Sequence, residues 1–529
     1  MFKVLVSDPI SDMGIQQLYD AGDITVDKKP GLSEQELIAI IPEYDALLVR
    51  SQTKVTAGIM QAGKKLKAVG RAGVGVDNID LEAATQLGIV VINAPDGNTI
   101  TTCEHAFAMM MSLARHIPQA HKKTISGEWD RKSFLGVELR NKVLGIIGMG
   151  RIGSEVAKRA KAFGMDVLGY DPFLTEDRAE KLGIKLGSVN EIAAKADFIT
   201  LHTPLTNETH HIIGKPQFEI MKKGMRIINC ARGGLVDEYA LVEAIEEGIV
   251  AGAAFDVFEV EPPAADHPFL TNSKVIVTPH LGASTFEAQE NVAIDVSEEV
   301  LHVLRDEPYK NAVNMPPIPA AVLNKLLPYF LLGENMGRFL VQLAEGPVEE
   351  INISYSGELS EVDTMALTRN IVKGVLIHHL GNEQVNMINS LHLAKQRDLN
   401  VIVQKSPLAK GFTNLVTLSL KTKTEVRVIA GTLLNGYGPR IVQIDQYPVD
   451  LPPGGNIILV SHNDKPGIIG RLGTVLGNNN VNIATMQVGR KDIGGSAIMI
   501  ITVDKQAPKD VIEQLAMLPE MIKVKEVTI

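Results

Sequence analysis

The stretch that decides the fold reads Val143-Leu144-Gly145-Ile146-Ile147-Gly148-Met149-Gly150-Arg151-Ile152-Gly153. Its apolar first half predicts a buried strand, and the residues from Ser154 to Phe163 have a helical pattern. The glycines between them have the Gly-x-Gly-x-x-Gly spacing of a dinucleotide-binding turn. In such a turn Gly148 permits the sharp bend, Gly150 lets the backbone approach a pyrophosphate, and Gly153 allows close helix–strand packing. The alternative is an ordinary glycine-rich turn.

An acidic residue at the end of the next predicted strand favours the nucleotide interpretation. Asp171 lies 18 residues after Gly153. A carboxylate at this point accepts hydrogen bonds from a ribose 2′-hydroxyl and repels a 2′-phosphate. The sequence therefore predicts NAD, rather than NADP, as the cofactor.

The strands around this turn predict two α/β domains, each a doubly wound, Rossmann-like parallel sheet. The second series contains six predicted strands: Val143–Ile147, Asp166–Tyr170, Phe198–His202, Arg226–Asn229, Ala251–Phe255 and Val275–Thr278. The first series contains four: Val4–Val6, Ala46–Val49, Ala68–Val69 and Ile89–Ile92. Two long predicted helices, Thr102–Lys122 and Thr285–Leu304, bracket the second series. We therefore expect a discontinuous substrate domain (1–97 and 285–315), an NAD-binding domain (98–284) and a cleft between them.

Two further domains are predicted after this pair. Met315-Pro316-Pro317-Ile318-Pro319 and Pro452-Pro453-Gly454-Gly455 cannot continue a helix and are typical of linkers. Residues 318–452 are predicted to form an α+β domain, in which no catalytic motif is evident. Residues 455–529 have the order βαββαβ of a ferredoxin-like domain.

Composition excludes several classes of protein. A length of 529 residues predicts about three or four domains at roughly 100–200 residues each. The net charge of −10 argues against nucleic acid as a partner. Cys103 and Cys230 are too few for a disulfide framework, and no apolar run suits a membrane span or a signal peptide. We expect a cytoplasmic protein with no membrane contact and no metal site.

Three successive strand ends of the second series present reactive side chains. Arg232 follows one strand, several carboxylates follow the next, and His280 follows the last. Ligands bind at the carboxyl ends of strands in open α/β sheets, so these groups are expected to meet there. A His paired with a carboxylate is a general acid/base device. Spacing leaves the partner of His280 open among Asp256, Glu259 and Glu261. Cys230 is predicted to be a packed residue rather than a nucleophile.

Several motifs, in order, resemble those of the NAD-dependent D-2-hydroxyacid dehydrogenase family. The resemblance covers about 315 residues and rests on the fingerprint with Asp171 and on five further segments: Gly70–Asn78, His202–Leu205, Asn229–Gly234, Asp256–Pro262 and Pro279–Gly282. The whole chain is similar to the long members of the family that oxidise D-3-phosphoglycerate. Those members add an intervening domain and an amino-acid-binding ACT domain after the catalytic core.

The resemblance implies roles for individual residues. Arg232, Glu261 and His280 would form the catalytic set, with Glu261 as the partner of His280. Val74 departs from the Thr expected there. The implied cofactor contacts are Val74, Gly148, Gly150, Arg151, Ile152, Gly153, Asp171, Thr203, Cys230, Ala231, Arg232, Asp256, His280, Gly282 and Ala283. The implied substrate contacts are Arg50, Ser51, Arg71, Gly75 and Asn98. Arg50 and Arg71 end neighbouring strands, which suits a substrate with both phosphate and carboxylate.

The activity implied is NAD-dependent oxidation of D-3-phosphoglycerate to 3-phosphohydroxypyruvate, the first step of L-serine biosynthesis. L-Serine would be an effector, with His462, Asp464 and Asn482 as its contacts, and the chain would form a homo-oligomer, either a dimer or a tetramer. Two alternatives remain. One is a dehydrogenase for another D-2-hydroxy acid, such as 2-hydroxyglutarate, and the other is a non-catalytic NAD-sensing corepressor or scaffold.

Overall fold

The computed structural model describes residues 1–316, 319–490, 492 and 494–529. The middle of the first predicted linker, Pro317 and Ile318, lies outside the described residues. The predicted first residue of the intervening domain, Ile318, is therefore also outside them.

The N-terminal part contains a five-stranded parallel sheet with the order β2-β1-β3-β4-β5. Its elements are β1 (Phe2–Val6), α1 (Gln16–Asp20), β2 (Ile24–Lys28), α2 (Glu34–Ile40), β3 (Ala46–Val49), α3 (Ala57–Ala62), β4 (Ala68–Arg71), α4 (Leu81–Gln86) and β5 (Val90–Asn93). This is the flavodoxin-like strand order of doubly wound sheets. The strand β2 was not predicted; it is an edge strand in which only Ile24 is buried.

The second α/β part contains a seven-stranded parallel sheet with the order β12-β11-β10-β9-β6-β7-β8. Its elements are α5 (Thr99–Arg115), α6 (Ile117–Ile125), β6 (Val143–Ile147), α7 (Arg151–Ala162), β7 (Asp166–Tyr170), α8 (Glu176–Leu182), β8 (Lys185–Leu186), α9 (Val189–Lys195), β9 (Phe198–Leu201), α10 (Lys215–Ile220), β10 (Met225–Asn229), α11 (Glu238–Glu246), β11 (Val250–Phe255), α12 (Pro268–Thr271) and β12 (Val275–Val277). The six predicted strands are confirmed, and the two-residue edge strand β8 is additional.

The prediction of one helix from Thr102 to Lys122 is wrong, because the helix breaks at His116. His116 has a left-handed backbone with φ of 55° and separates α5 from α6. Pro118 has no N–H to donate to the carbonyl four residues earlier, so a continuous helix would leave Ala114 without a partner. The carbonyl of Ala114 instead accepts a hydrogen bond from the Val137 N–H at 3.0 Å.

After the second sheet the chain returns to the first. The helix α13 (Phe286–Leu304) buries Val292, Val296 and Val300 in one apolar cluster with Val4 and Leu48 of the first sheet. The segment after α13 continues this contact, since the Asn314 side chain accepts a hydrogen bond from the Val91 N–H at 3.0 Å. The polypeptide therefore crosses twice between the two sheets, which leaves a cleft along their carboxyl edges.

The C-terminal part contains two more sheets. A six-stranded mixed sheet has the order β14-β13-β15-β16-β17-β18, and an antiparallel sheet has the order β20-β21-β19-β22. The elements are α14 (Ala320–Leu343), β13 (Val348–Gly357), α15 (Met365–Leu380), α16 (Ser390–Gln396), β14 (Asn400–Ser406), β15 (Asn414–Thr422), β16 (Val426–Leu434), β17 (Gly438–Ile444), β18 (Tyr447–Leu451), β19 (Asn456–Asn463), α17 (Ile468–Asn478), β20 (Ile483–Arg490), β21 (Ser496–Val503), α18 (Lys509–Ala516) and β22 (Met521–Thr528). The predicted order βαββαβ is confirmed, with the strand arrangement of a ferredoxin-like fold.

One buried cluster joins these last two sheets. Leu459 and Ile500 of the four-stranded sheet belong to the same cluster as Met336 and Leu340 of α14. The helices α17 and α18 pack on the opposite face of that sheet through a separate apolar cluster that includes Leu472 and Leu515. Across the described residues, no helix is both long and apolar enough to cross a lipid bilayer.

Candidate active site

The glycine-rich turn has the backbone geometry that a bound pyrophosphate requires. Gly148 has φ of +95°, and a Cβ there would lie 2.5 Å from the His202 carbonyl oxygen. A Cβ on Gly153 would lie 2.0 Å from the Gly148 carbonyl oxygen, so both positions demand glycine. At Gly150, by contrast, a Cβ would have no heavy atom within 4 Å. The N-terminus of α7 therefore faces open space, as a phosphate-binding helix must.

A cleft of about 700 Å³ opens beside this turn and is lined by Asp96, Gly150, Arg151, Asp171 and Arg178, among other residues. The Asp171 carboxylate lies at its wall and accepts hydrogen bonds from the backbone N–H groups of Met149 (2.9 Å) and Phe173 (2.8 Å). Each oxygen keeps a second lone pair for a ribose hydroxyl. The residues present therefore fit NAD: the open backbone at Gly150 would face its pyrophosphate, and Asp171 would accept hydrogen bonds from its adenosine ribose.

The imidazole of His280 is hydrogen-bonded to Glu261. His280 Nδ1 lies 2.8 Å from Glu261 Oε2, and Glu261 Oε1 accepts a hydrogen bond from the Phe258 N–H at 3.1 Å. The Glu261 hydrogen bond raises the pKa of His280, although partial burial and the nearby Arg232 oppose this. Burial alone would raise the pKa of Glu261, but the hydrogen bonds from His280 and Phe258 lower it. The Glu261 carboxylate therefore stabilises the protonated imidazole of His280 through Nδ1, and Nε2 of the ring stays available for a ligand.

Asp256 orients the loop that carries His280. Its side chain is fully buried and accepts hydrogen bonds from Thr278 Oγ1 (2.5 Å), the Leu281 N–H (2.7 Å) and the Gly282 N–H (2.8 Å). Burial would raise the pKa of this carboxylate, but these donors and His105, 3.1 Å away, lower it. The Asp256 carboxylate therefore holds the His280 loop in place through hydrogen bonds, and its direct contact with the cofactor stays a prediction.

Arg232 reaches from the second sheet to the first. Its Nε lies 3.4 Å from Asp77 Oδ2, and its Nη1 donates to the Ala231 carbonyl at 2.7 Å. A Cβ on Gly75 would lie 2.1 Å from Arg232 Nη2, so the guanidinium rests directly on the Gly75 backbone. Any side chain at Gly75 would displace Arg232, which explains the glycine without recourse to a ligand.

Two further arginines lie near Arg232 on the first sheet. Arg71 is partly buried at the end of β4, and its Nε donates to Asn78 Oδ1 at 3.2 Å. Burial lowers the pKa of Arg71 to about 10, and the charges of Arg232 and Arg50 act in the same direction. Such mutual repulsion is relieved when an anion binds between the groups. The three guanidinium groups therefore concentrate positive charge, which suits a substrate with more than one negative charge.

Sequence reasoning did not identify Asp8, which positions the Arg50 loop. Asp8 follows β1 and is buried, and its Oδ2 accepts hydrogen bonds from the N–H groups of Arg50 (2.6 Å), Gln52 (3.2 Å) and Thr53 (3.2 Å). Asp8 follows the carboxyl end of a strand, and this position could have identified it by the same rule that identified Arg232.

We expect Asp8→Asn to raise KM for the anionic substrate about tenfold with a smaller change in kcat, because a hydrogen bond to a charged group is worth ~1.5–3 kcal/mol and one between neutral groups ~0.5–1.5 kcal/mol. The asparagine oxygen can still accept from the three backbone N–H groups, but it carries no negative charge, and the amide NH2 replaces the Oδ1 that accepts from Thr53 Oγ1 at 2.5 Å. Steady-state kinetics on Asp8→Asn and on the exposed control Asp12→Asn measure this effect. An unchanged KM in Asp8→Asn would show that the loop does not depend on this carboxylate.

The remaining predicted contacts are distributed around the cleft. Asn98 precedes α5 without capping it, and its Oδ1 is buried with no hydrogen-bond partner in the described chain, as a ligand-binding group would be. Cys230 is buried, which raises the pKa of its thiol well above the usual value and keeps it neutral. Ser51 is exposed, and the following residues are partly buried: Val74, Ile152, Thr203, Ala231 and Ala283.

The predicted effector residues lie in the four-stranded sheet and have separate partners. Asp464 Oδ2 lies 3.3 Å from Arg490 Nη1, and Asn482 Nδ2 donates to Asp504 Oδ2 at 2.7 Å. His462 is buried in β19, and its Nε2 has no hydrogen-bond partner in the described parts of the chain. These hydrogen bonds therefore do not join Asp464 to Asn482 within one chain.

Comparisons with family models place three matches along the chain. Residues 107–282 match the model of the D-isomer specific 2-hydroxyacid dehydrogenase NAD-binding domain. Residues 325–445 match the D-3-phosphoglycerate dehydrogenase intervening domain, and residues 456–520 match the ACT domain.

Curated relatives are similar over the whole length. The D-3-phosphoglycerate dehydrogenase of Methanocaldococcus jannaschii is 46% identical over 522 residues, 98% of each chain. The enzyme of the same name from Bacillus subtilis is 45% identical over 526 residues, 99% of each chain.

Solved structures are similar over more than half of the chain. The TT0316 protein of Thermus thermophilus aligns with a TM-score of 0.55 and 34% identity, over 59% of this chain and 99% of its own. D-Lactate dehydrogenase of Aquifex aeolicus, solved with NAD and lactic acid, aligns with a TM-score of 0.51 and 30% identity, over 58% of this chain and 96% of its own.

Proposed function

Since the chain belongs to the D-3-phosphoglycerate dehydrogenase family, we propose that it oxidises D-3-phosphoglycerate to 3-phosphohydroxypyruvate with NAD, the first step of L-serine biosynthesis. The observation that carries this proposal is that Arg232 lies near both the hydrogen-bonded pair of His280 and Glu261 and the arginines Arg50 and Arg71 of the first sheet. An acid/base pair and a group of positive charges thus occur together in a chain that also has a dinucleotide-binding turn.

The residues divide the chemistry among them. Arg232 binds the substrate carboxylate and polarises the C2 oxygen through its planar fork of donors. Neutral His280 removes the C2 hydroxyl proton through Nε2, and Glu261 stabilises the resulting imidazolium through Nδ1. Arg50 and Arg71 hold the remaining anionic group. NAD, when bound, accepts the C2 hydrogen as hydride, which leaves a 2-keto acid. In the reverse direction His280 returns the proton.

An initial-rate assay tests this assignment. We expect turnover with D-3-phosphoglycerate and NAD, and much slower turnover with D-2-hydroxyglutarate and D-lactate, which lack the phosphate. Faster oxidation of either competitor would favour the alternative of another D-2-hydroxy acid. NAD binding without turnover on any of the three would favour the corepressor or scaffold.

The oxidation rate should rise with pH through the pKa of His280. Only neutral imidazole accepts the proton, and the Glu261 hydrogen bond holds the pKa of His280 above its usual 6.5. We expect kcat/KM for oxidation to be low below that pKa and to reach a plateau above it. In Glu261→Gln the charge that stabilises the imidazolium is lost, so the midpoint should move to lower pH while the plateau falls. A midpoint unmoved by Glu261→Gln would assign the titration to another group.

We propose L-serine as the effector of the ACT domain, with Asp464 and Asn482 as contacts. An ACT domain that matches over residues 456–520 supports binding of an amino acid. Coupling between distant sites is typically worth ~1–3 kcal/mol, or about 5–150-fold in affinity. Initial rates with and without L-serine, on the parent chain and on Asp464→Ala, test the proposal. Unchanged rates of the parent chain at saturating serine would contradict it.

We also propose a homo-oligomer, dimeric or tetrameric. The support comes from α6 and the segment after it, where Ile117, Ile125, Trp129 and Leu135 are exposed, the last two to 82% and 89%. Exposed apolar side chains grouped in one segment are typical of subunit interfaces. Light scattering on the parent chain and on the double variant Trp129→Ser, Leu135→Ser measures the subunit number, which should fall in the variant.

We also propose a cytoplasmic location, since Cys103 and Cys230 are buried, unpaired thiols and disulfides are rare in that reducing compartment.

A further inference from the structure

A cluster of two histidines and one carboxylate lies outside the catalytic set. His210 and His211 belong to the loop between β9 and α10, and Glu259 follows β11, two residues before Glu261. One ligand atom from each of the three side chains lies within 4.8 Å of the others. Sequence spacing gave no sign of this group, because the histidines are adjacent and Glu259 is far along the chain.

The shortest nitrogen–oxygen distances in this cluster end on different oxygens of Glu259, and they are longer than hydrogen bonds and close to the separation of two ligand atoms around a zinc ion. His210 Nε2 lies 3.6 Å from Glu259 Oε1, and His211 Nε2 lies 3.5 Å from Glu259 Oε2. Good N–H···O hydrogen bonds span about 2.7–3.2 Å. Zinc–nitrogen and zinc–oxygen bonds of about 2.0–2.2 Å give a tetrahedron whose edges are about 3.4 Å. His211 Nε2 is buried and has no hydrogen-bond partner in the described residues.

The backbone on both sides of the cluster is held in place. The His211 N–H donates to the Gly234 carbonyl at 2.8 Å, and the Glu259 N–H donates to Glu238 Oε1 at 2.9 Å. The two imidazole rings stack with centroids 3.9 Å apart, so they present neighbouring edges to Glu259. Side chains of His210 and Glu259 are about half exposed, which leaves an entry path and a fourth position for water.

We propose that His210, His211 and Glu259 bind one divalent transition-metal ion of the zinc type, with water as the fourth ligand. Two imidazoles and one carboxylate select such a cation over magnesium or calcium, which prefer oxygen ligands. The bound ion tethers the loop from Phe258 to Glu261 to the loop between β9 and α10. It is separate from the NAD cleft and takes no part in the hydride transfer.

Zinc titration of the EDTA-treated full chain by calorimetry, with zinc salt alone as the probe, tests the site. We expect one high-affinity zinc ion per chain, with the affinity about tenfold or more weaker in His210→Gln and in Glu259→Gln. Both side chains are solvent-accessible, and the unfolding temperature without metal verifies that the variants fold. The exposed His121→Gln should bind as the parent chain does.

A second variant separates this site from the catalytic pair. His280→Asn should keep its zinc affinity, because His280 contacts Glu261 rather than Glu259. Zinc should also raise the unfolding temperature of the parent chain and not that of His210→Gln. The proposal is overturned if the parent chain binds no zinc, if both cluster variants bind as tightly as the parent, or if binding is lost in His280→Asn instead.

Discussion

Replacement of His280 by asparagine is expected to lower kcat for oxidation of D-3-phosphoglycerate by ~10²–10⁴-fold, the range that positioned acid/base catalysis contributes. Asparagine has no group that accepts a proton near neutral pH, so the C2 hydroxyl would have to ionise into water. The partner Glu261 would keep its hydrogen bond from Phe258 and its place in the loop. The variant therefore removes the base while leaving its surroundings largely in place.

NAD binding separates this catalytic effect from a structural one. The glycine turn follows β6 and Asp171 follows β7, which are four and five strands away from β12 in the sheet, and the hydrogen bonds of Asp171 go to Met149 and Phe173 rather than to His280. NAD affinity measured by calorimetry should therefore stay within a few-fold of the parent value, and His121→Asn serves as the matched control for a surface histidine. Near-full turnover in His280→Asn would refute the assignment of the base.

Replacement of Arg232 by glutamine is expected to lower kcat/KM by ~10²–10³-fold, the typical effect of removing one preorganised donor to a developing charge. The guanidinium rests on Gly75 and lies 3.4 Å from Asp77, so its position is set by both sheets before substrate arrives. Glutamine is shorter and neutral, and it leaves the anions of the substrate facing Arg71 and Arg50 alone.

Arg232→Lys refines this prediction. Lysine retains the charge but not the planar fork, so it should recover part of the affinity for the substrate and little of kcat. Arg397→Gln, at an exposed arginine directly after α16, is the control for loss of a positive charge. If Arg232→Lys were fully active, simple charge and not bidentate geometry would account for the role of Arg232.

Much of the architecture was predictable because strand periodicity and glycine spacing are local signals. The β6–Gly148–α7 unit, most strands along the chain and the ferredoxin-like C-terminal fold all follow from patterns within a few residues. The missed elements have local explanations too. The edge strand β2 buries a single side chain, and the break at His116 comes from a proline whose effect reaches four residues back.

The sequence was sufficient to predict that the candidate site lies at the carboxyl edge of the sheet. Parallel strands align their carboxyl ends, so Arg232, His280 and the carboxylates after β11 had to approach one another. Arg50 and Arg71 follow the same rule on the first sheet. Asp8 obeys it as well, but its function is to hold backbone N–H groups, and no pattern distinguishes that task from binding a ligand.

The sequence by itself determined that three carboxylates, Asp256, Glu259 and Glu261, follow one strand within six positions, at the edge where His280 also arrives. Only the tertiary structure decided what each of them contacts. Asp256 turns inward to the N–H groups of the His280 loop, Glu259 faces His210 and His211, and Glu261 meets His280 Nδ1 at 2.8 Å. Side-chain direction in a loop depends on the path of the backbone and on donors brought from distant segments, and neither is written in local spacing.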